Sequence, residues 1–239
     1  MALQPWRIGK VIKIEDRTHN TKSFWIEVPD MERFDFTPGQ FVTLDLPIHE
    51  KPNKRWRSYS IASWPDGTNV FELLIVKAQA GAGTNYLFNE VNVGSELTFR
   101  GAQGVFILPE KMEKDIFLIC TGTGIAPFRS MVNHIQLNNI PFKNIYLVFG
   151  CRKKEDLLFY DELKGLEQNL PGFHYLPTLS REHWEGHFGY VHPIYQELCK
   201  EKKDALFLLC GWKHMIDEAK KRILEMGYDK KTIHLELYG

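Results

Sequence analysis

The chain has 239 residues, 44% of them hydrophobic and 25% charged, an ordinary globular composition that argues against disorder, with a length that suits one large domain or two compact ones. Lys+Arg and Asp+Glu both number 30, so the formal net charge is zero and the balance gives no support to a nucleic-acid binder. Four scattered cysteines, Cys120, Cys151, Cys199 and Cys210, form no C-x-x-C pair, which excludes the usual zinc and iron–sulfur spacings.

The first half reads as short strands: Val11–Ile14, Ser23–Val28, Gln40–Leu44, Ser58–Ile61, Phe71–Val76 and Glu96–Phe99. Turn pairs such as Pro29-Asp30 and Pro38-Gly39 separate them. Many short strands at near-regular spacing predict an antiparallel β-barrel or sandwich. Around Pro109 the pattern changes. Ile116–Cys120, Ile145–Gly150 and Phe207–Gly211 are continuous apolar runs, the mark of strands buried on both faces. Helical spacing over Pro127–Leu137, Phe159–Asn169, His192–Lys200 and Met215–Met226 alternates with them. Strand, turn and helix in alternation predict a doubly wound parallel sheet. The expected domains are therefore 1–109 and 110–239. The start, Met1 to Arg7, carries no signal-peptide apolar core, and no run is long enough to cross a bilayer, so a cytoplasmic, membrane-free protein is expected.

Four short motifs carry the chemistry. Thr121-Gly122-Thr123-Gly124-Ile125-Ala126-Pro127 follows a buried strand and opens a helix. Glycines there let a backbone approach a pyrophosphate, and the helix N-terminus favours negative charge. Pro127 suits the first helical turn. Alone, such a loop is equally a tight strand–helix turn. Arg57-Ser58-Tyr59-Ser60 lies on a strand of the barrel half; an arginine can bridge a diphosphate and a tyrosine can stack on an aromatic ring system, although any surface strand alternates in this way. Gly81-Ala82-Gly83-Thr84 precedes a short helix, a second phosphate cradle with Thr84 expected as its N-cap. Cys210-Gly211 ends the third buried strand, where ligands of such sheets sit, yet a core cysteine is the commoner fate. The nine histidines show no paired metal-ligand spacing, and no G-x-S-x-G elbow occurs.

In this order, barrel before doubly wound sheet, the four motifs resemble the ferredoxin–NADP reductase superfamily over nearly the whole chain. The resemblance implies an N-terminal antiparallel Greek-key barrel that binds FAD, then an NAD(P)-binding α/β domain. It places Arg57 on the FAD pyrophosphate, Tyr59 against the isoalloxazine and Ser60 near flavin N5, with Ser58 between them. Ile75-Val76-Lys77 is similar to the strand along the FAD, and Gly81, Gly83 and Thr84 to its phosphate element. Thr121, Gly122, Thr123 and Gly124 match the nicotinamide-dinucleotide loop, Arg152, Ser180 and Arg181 the adenosine end, and Cys210 and Gly211 the nicotinamide pocket. The ending Leu235-Glu236-Leu237-Tyr238-Gly239 resembles the plant-type terminus, which makes Tyr238 a shield on the flavin and groups Glu236 with Cys210 and Ser60. By itself that ending is also a plain terminal strand with alternating side chains.

The resemblance further implies hydride transfer between NADPH or NADH and flavin N5, then single-electron delivery to a separate carrier such as ferredoxin or flavodoxin. Lys51, Lys54, Arg55 and Arg57, against the nearby Glu50, are a basic rim able to steer an acidic carrier, or simply a solvated loop. Arg152, Lys153 and Arg181 are available to a 2′-phosphate, whereas Trp184 to Val191 resembles relatives that use NADH. Two other readings are an NAD(P)H:flavin reductase that releases reduced flavin and a non-catalytic electron-transfer subunit of a larger complex.

Overall fold

The computed structural model describes residues 4–238, without the side chain of Tyr238. By its internal packing the chain divides into two units. The first runs to Ile107 and includes Arg129–His134; the second comprises Leu108–Phe128 and the chain from Ile135 on. No helix among the described residues is long and apolar enough to cross a membrane.

The first unit holds β1 (Trp6–Thr18), β2 (Thr21–Glu27), β3 (Phe41–Asp45), β4 (Trp56–Ser60), β5 (Val70–Val76), a short helix α1 (Ala82–Asn89) and β6 (Glu96–Gln103). The strands form one six-stranded antiparallel sheet in the order β4-β3-β6-β1-β2-β5. An Ile61–Leu73 bridge joins the chain just beyond β4 to β5, which closes the sheet into the expected barrel and removes its open edges. Period-two alternation sends Phe24, Ile26, Val42, Leu44, Phe71, Leu73, Leu97 and Phe99 into the barrel core. Among the described residues two charged side chains are buried in this unit, Glu72 and Arg129. Glu72 accepts a 2.6 Å hydrogen bond from Arg129 and a longer one, 3.4 Å, from Arg17, and Arg129 also donates to the Ala62 carbonyl at 3.1 Å. A carboxylate at 2% exposure is tolerated because it is paired and hydrogen-bonded.

The second unit holds β7 (Met112–Thr121), α2 (Ala126–Asn138), β8 (Phe142–Cys151), α3 (Tyr160–Asn169), β9 (Phe173–Leu179), β10 (His187–Phe188), α4 (His192–Leu198), β11 (Ala205–Trp212), α5 (Lys213–Glu225) and β12 (Ile233–Tyr238). All pairings are parallel, in the order β10-β9-β8-β7-β11-β12. The strand order therefore grows outward from β7, first through β8 and β9, then on the other side through β11 and β12. That reversal makes the carboxyl ends of β7 and β11 a topological switch point, where open α/β sheets bind ligands.

Two details depart from the sequence reading. β9 was not expected; Pro177 lies within it, and a proline argues against an interior strand. Its main-chain pairing to β8 nevertheless runs from Phe173 to Leu179. Thr84 is not the N-cap of α1. That position is Gly81, and Thr84 sits inside the first turn. Its hydroxyl donates to the Gly81 carbonyl at 3.1 Å and accepts from the Ala78 N–H at 3.1 Å, so it ties the loop to the helix instead of capping it.

Candidate cofactor sites

In the first unit, alternation along β4 puts Arg57 and Tyr59 on one face and Ser58 on the other. The Ser58 hydroxyl is 3.0 Å from that of Thr43, so its side chain is committed away from Arg57 and Tyr59. Tyr59 packs against the barrel core, and burial raises its phenol to about 12; it is a neutral aromatic surface at any physiological pH. Ser60 is almost fully buried opposite Phe41. The Arg57 guanidinium donates to the carbonyls of Trp56 at 2.8 Å and Lys54 at 3.1 Å, which aims it without neutralising it. A Cβ on Gly83 would stand 2.9 Å from Arg57 Cγ. The absent side chain thus lets the start of α1 close on the arginine stem, and residues 26 positions apart in sequence become one cradle.

The remaining flavin-side candidates lie on and just after β5. Ile75 belongs to the core, so only its backbone is available to a ligand. Lys77 lies at the end of β5, exposed, and donates to the Asn89 side chain at 3.3 Å. Of the basic rim, Arg55 is neutralised by both carboxylate oxygens of Asp45, an acid the sequence spacing did not bring to notice. Lys51 and Lys54 stay exposed.

In the second unit, Gly122–Ile125 forms one tight 3-10 turn between β7 and α2, with Pro127 in the first turn of the helix. Gly122 has φ +55°, a left-handed conformation that favours glycine. Gly124 is required by contact: a Cβ there would stand 2.4 Å from the Cys210 carbonyl oxygen and 2.9 Å from Gly211 Cα. The loop after β7 therefore lies directly on the end of β11, at the switch point. Gly211, at φ +136°, has the Thr121 hydroxyl 2.7 Å from its would-be Cβ. That hydroxyl is buried and has no hydrogen-bond partner, an acceptor or donor left over in a polar turn.

Cys210 is paired in register with Cys120 on one side and with Glu236 on the other. Neither cysteine is in a disulfide and both are fully buried, and burial pushes the Cys120 thiol well up. Cys120 is therefore not a thiolate nucleophile. Glu236 is half-buried. The side chain of Tyr238, with Gly239, lies outside the described residues. The turns after β8 and β9 are zipped together: Ser180 N–H donates to the Cys151 carbonyl at 3.0 Å, its hydroxyl to the same oxygen at 3.2 Å, and Arg181 N–H to the Arg152 carbonyl at 2.9 Å. Glu182 accepts from the Lys154 N–H at 2.9 Å. Lys153 and Lys154 pair with Glu155 and Glu185. Arg152 and Arg181 are exposed, brought side by side in the chain trace, and make no ion pair among the described residues.

Comparison with known proteins agrees with this layout. Residues 9–107 match the family model of an oxidoreductase FAD-binding domain, and residues 118–221 that of an oxidoreductase NAD-binding domain. The chain is 33% identical to ferredoxin–NADP reductase B of Sorangium cellulosum, over 96% of each chain. It is 30% identical to the anthranilate 1,2-dioxygenase electron transfer component of Acinetobacter baylyi, covering 87% of this chain and 60% of the relative. Among solved structures, a ferredoxin NADP+ reductase from Neisseria gonorrhoeae with bound FAD and NADP superposes with a TM-score of 0.81 at 26% identity, covering 97% of this chain and 98% of that one. A barrel with an arginine–glycine cradle, a doubly wound sheet with a glycine turn at its switch point, and relatives of matching length together establish that the chain belongs to the ferredoxin–NADP reductase superfamily, as a flavoprotein oxidoreductase that uses FAD and a nicotinamide dinucleotide.

Proposed function

We propose that the chain takes reducing equivalents from NADPH through FAD and delivers them singly to a separate protein carrier, a ferredoxin or a flavodoxin. The observation that carries this reading is the closure of Gly124 onto Cys210 and Gly211 at the switch point. A turn this close to the neighbouring strand, with the spare Thr121 hydroxyl beneath it, is a cradle shaped for a diphosphate.

The residues present suit FAD in the first unit. Arg57 offers a charged fork to a diphosphate, Gly81–Thr84 offers backbone at the start of α1, and Tyr59 offers an apolar face. The flavin supplies the step no side chain here can perform, accepting a hydride and giving up electrons one at a time. In the first unit Ser60 supplies a buried hydroxyl; in the second, Cys210 and Glu236 supply adjacent positions on β11 and β12. Fully buried Cys210 fills space and orients.

NADPH is favoured over NADH by Arg152 and Arg181, two guanidinium groups with no carboxylate partner, beside lysines already paired. A 2′-phosphate is the ligand chemistry that such a pair recognises. Delivery to a separate carrier is supported by the names of the relatives, one a ferredoxin–NADP reductase and the other an electron transfer component. The test is steady-state reduction of a ferredoxin and a flavodoxin by the FAD-loaded protein, with each nucleotide. The reading expects carrier reduction with NADPH, and an Arg181→Ala variant with a KM for NADPH raised about tenfold, the scale of one charged contact, and a KM for NADH unchanged. Reduction of free flavin alone, with neither carrier reduced, contradicts it.

A further inference from the structure

Trp212 is the last residue of β11 and directly follows Cys210-Gly211. At 65% exposure it is the most exposed of the six tryptophans. A folded chain gains about 25 cal/mol for each square ångström of apolar surface removed from water, so a large aromatic left outside at a switch point points to a ligand that covers it. Two further observations show which one. The indole Nε1 stands 4.0 Å from the position of a Cβ on Gly122, the first glycine of the turn, and apart from the glycine's chain neighbours no other atom among the described residues lies that near to it. The Trp212 side chain makes no hydrogen bond among the described residues. The Thr121 hydroxyl, 2.7 Å from the would-be Cβ of Gly211, is buried and also has no partner. Two unused polar groups thus flank the same turn, and the left-over donor on the open side belongs to the indole.

We propose that Trp212 is a further dinucleotide-binding residue. Its Nε1–H donates to an oxygen of the diphosphate lying over Gly122–Gly124, and its ring forms the wall of that site. The proposal rests on the reading that the turn binds NAD(P). An indole N–H only donates and does not titrate, so it discriminates for an anionic acceptor over the whole working pH range. A hydrogen bond from a neutral donor to a charged oxygen is among the stronger ones.

The experiment is calorimetric titration of the FAD-loaded parent protein, Trp212→Phe and Trp212→Ala, without turnover. The probes are the oxidised dinucleotide that the parent binds more tightly, NADP+ or NAD+, and 2′-AMP or AMP, which lacks the diphosphate. Trp212→Phe keeps a ring and removes the donor. The proposal expects it to weaken dinucleotide binding about tenfold and to leave the mononucleotide unchanged, with a larger loss in Trp212→Ala. The visible FAD spectrum and the thermal midpoint of each variant report an intact fold. Dinucleotide binding by Trp212→Phe equal to the parent's overturns the proposal. So does equal weakening of both probes, which would place the indole at the adenosine end. A parent that binds neither dinucleotide overturns the reading beneath it as well.

Discussion

A single methyl group added at Gly124 would meet the Cys210 carbonyl oxygen at 2.4 Å, and backbone on both sides of that contact leaves nothing flexible to move aside. Gly124→Ala is expected to push the turn off the end of β11, lowering stability by about 1–3 kcal/mol and abolishing dinucleotide binding; thermal unfolding and calorimetry check the two effects. Arg57→Ala removes a guanidinium that no carboxylate neutralises, and is expected to release FAD on gel filtration while leaving the thermal transition of the second unit in place. These residues were legible from sequence because glycine and arginine in a fixed order next to a strand carry their reason with them. Ser58 and Thr84 were only half legible: the residue type suggested a ligand, whereas the hydroxyls are bonded to Thr43 and to the α1 loop. Trp212 gave no signal at all in the sequence, since an aromatic after an apolar strand is ordinarily core, and only its exposure sets it apart.

At the scale of elements, apolar periodicity located most of the strands and helices to within a few residues. β1 is the main exception in length: it runs from Trp6 to Thr18 because β6 and β2 pair successive parts of it, a tertiary cause that local pattern does not carry. β9 was missed for the same reason, with its pairing to β8 outweighing Pro177. The helix α5 was legible because Met215, Ile216, Ala219 and Ile223 fall on one buried face. Ile223 is fully buried against β11 neighbours such as Phe207 and Leu209, so Ile223→Ala is expected to cost about 2–5 kcal/mol, measured by urea denaturation, with flavin still bound by the first unit.

At the scale of the molecule, barrel followed by doubly wound sheet was readable because the two periods differ, two in one half and strand–helix alternation in the other. The closure of the barrel through Ile61–Leu73 and the outward growth of the parallel sheet from β7 were not, since both are pairings between distant segments. The same burial that builds the units fixes their alkaline limit. Burial raises Tyr59 from 10.0 and Cys151 from 9.0, each to about 12. Folded values above unfolded ones mean that the native chain holds these protons more tightly. Stability is therefore full below about pH 9, falls as the unfolded thiol and phenol ionise, and continues to fall until about pH 12. Urea midpoints at pH 8 and pH 10.5 should differ in that direction.

The measurement that bears most directly on the whole account is the anaerobic visible spectrum of the purified protein, recorded before and after addition of NADPH and, separately, NADH. The account predicts an oxidised-flavin spectrum that bleaches promptly with NADPH and more slowly with NADH. A protein that takes up no FAD, or whose bound flavin stays oxidised with both nucleotides, would contradict it.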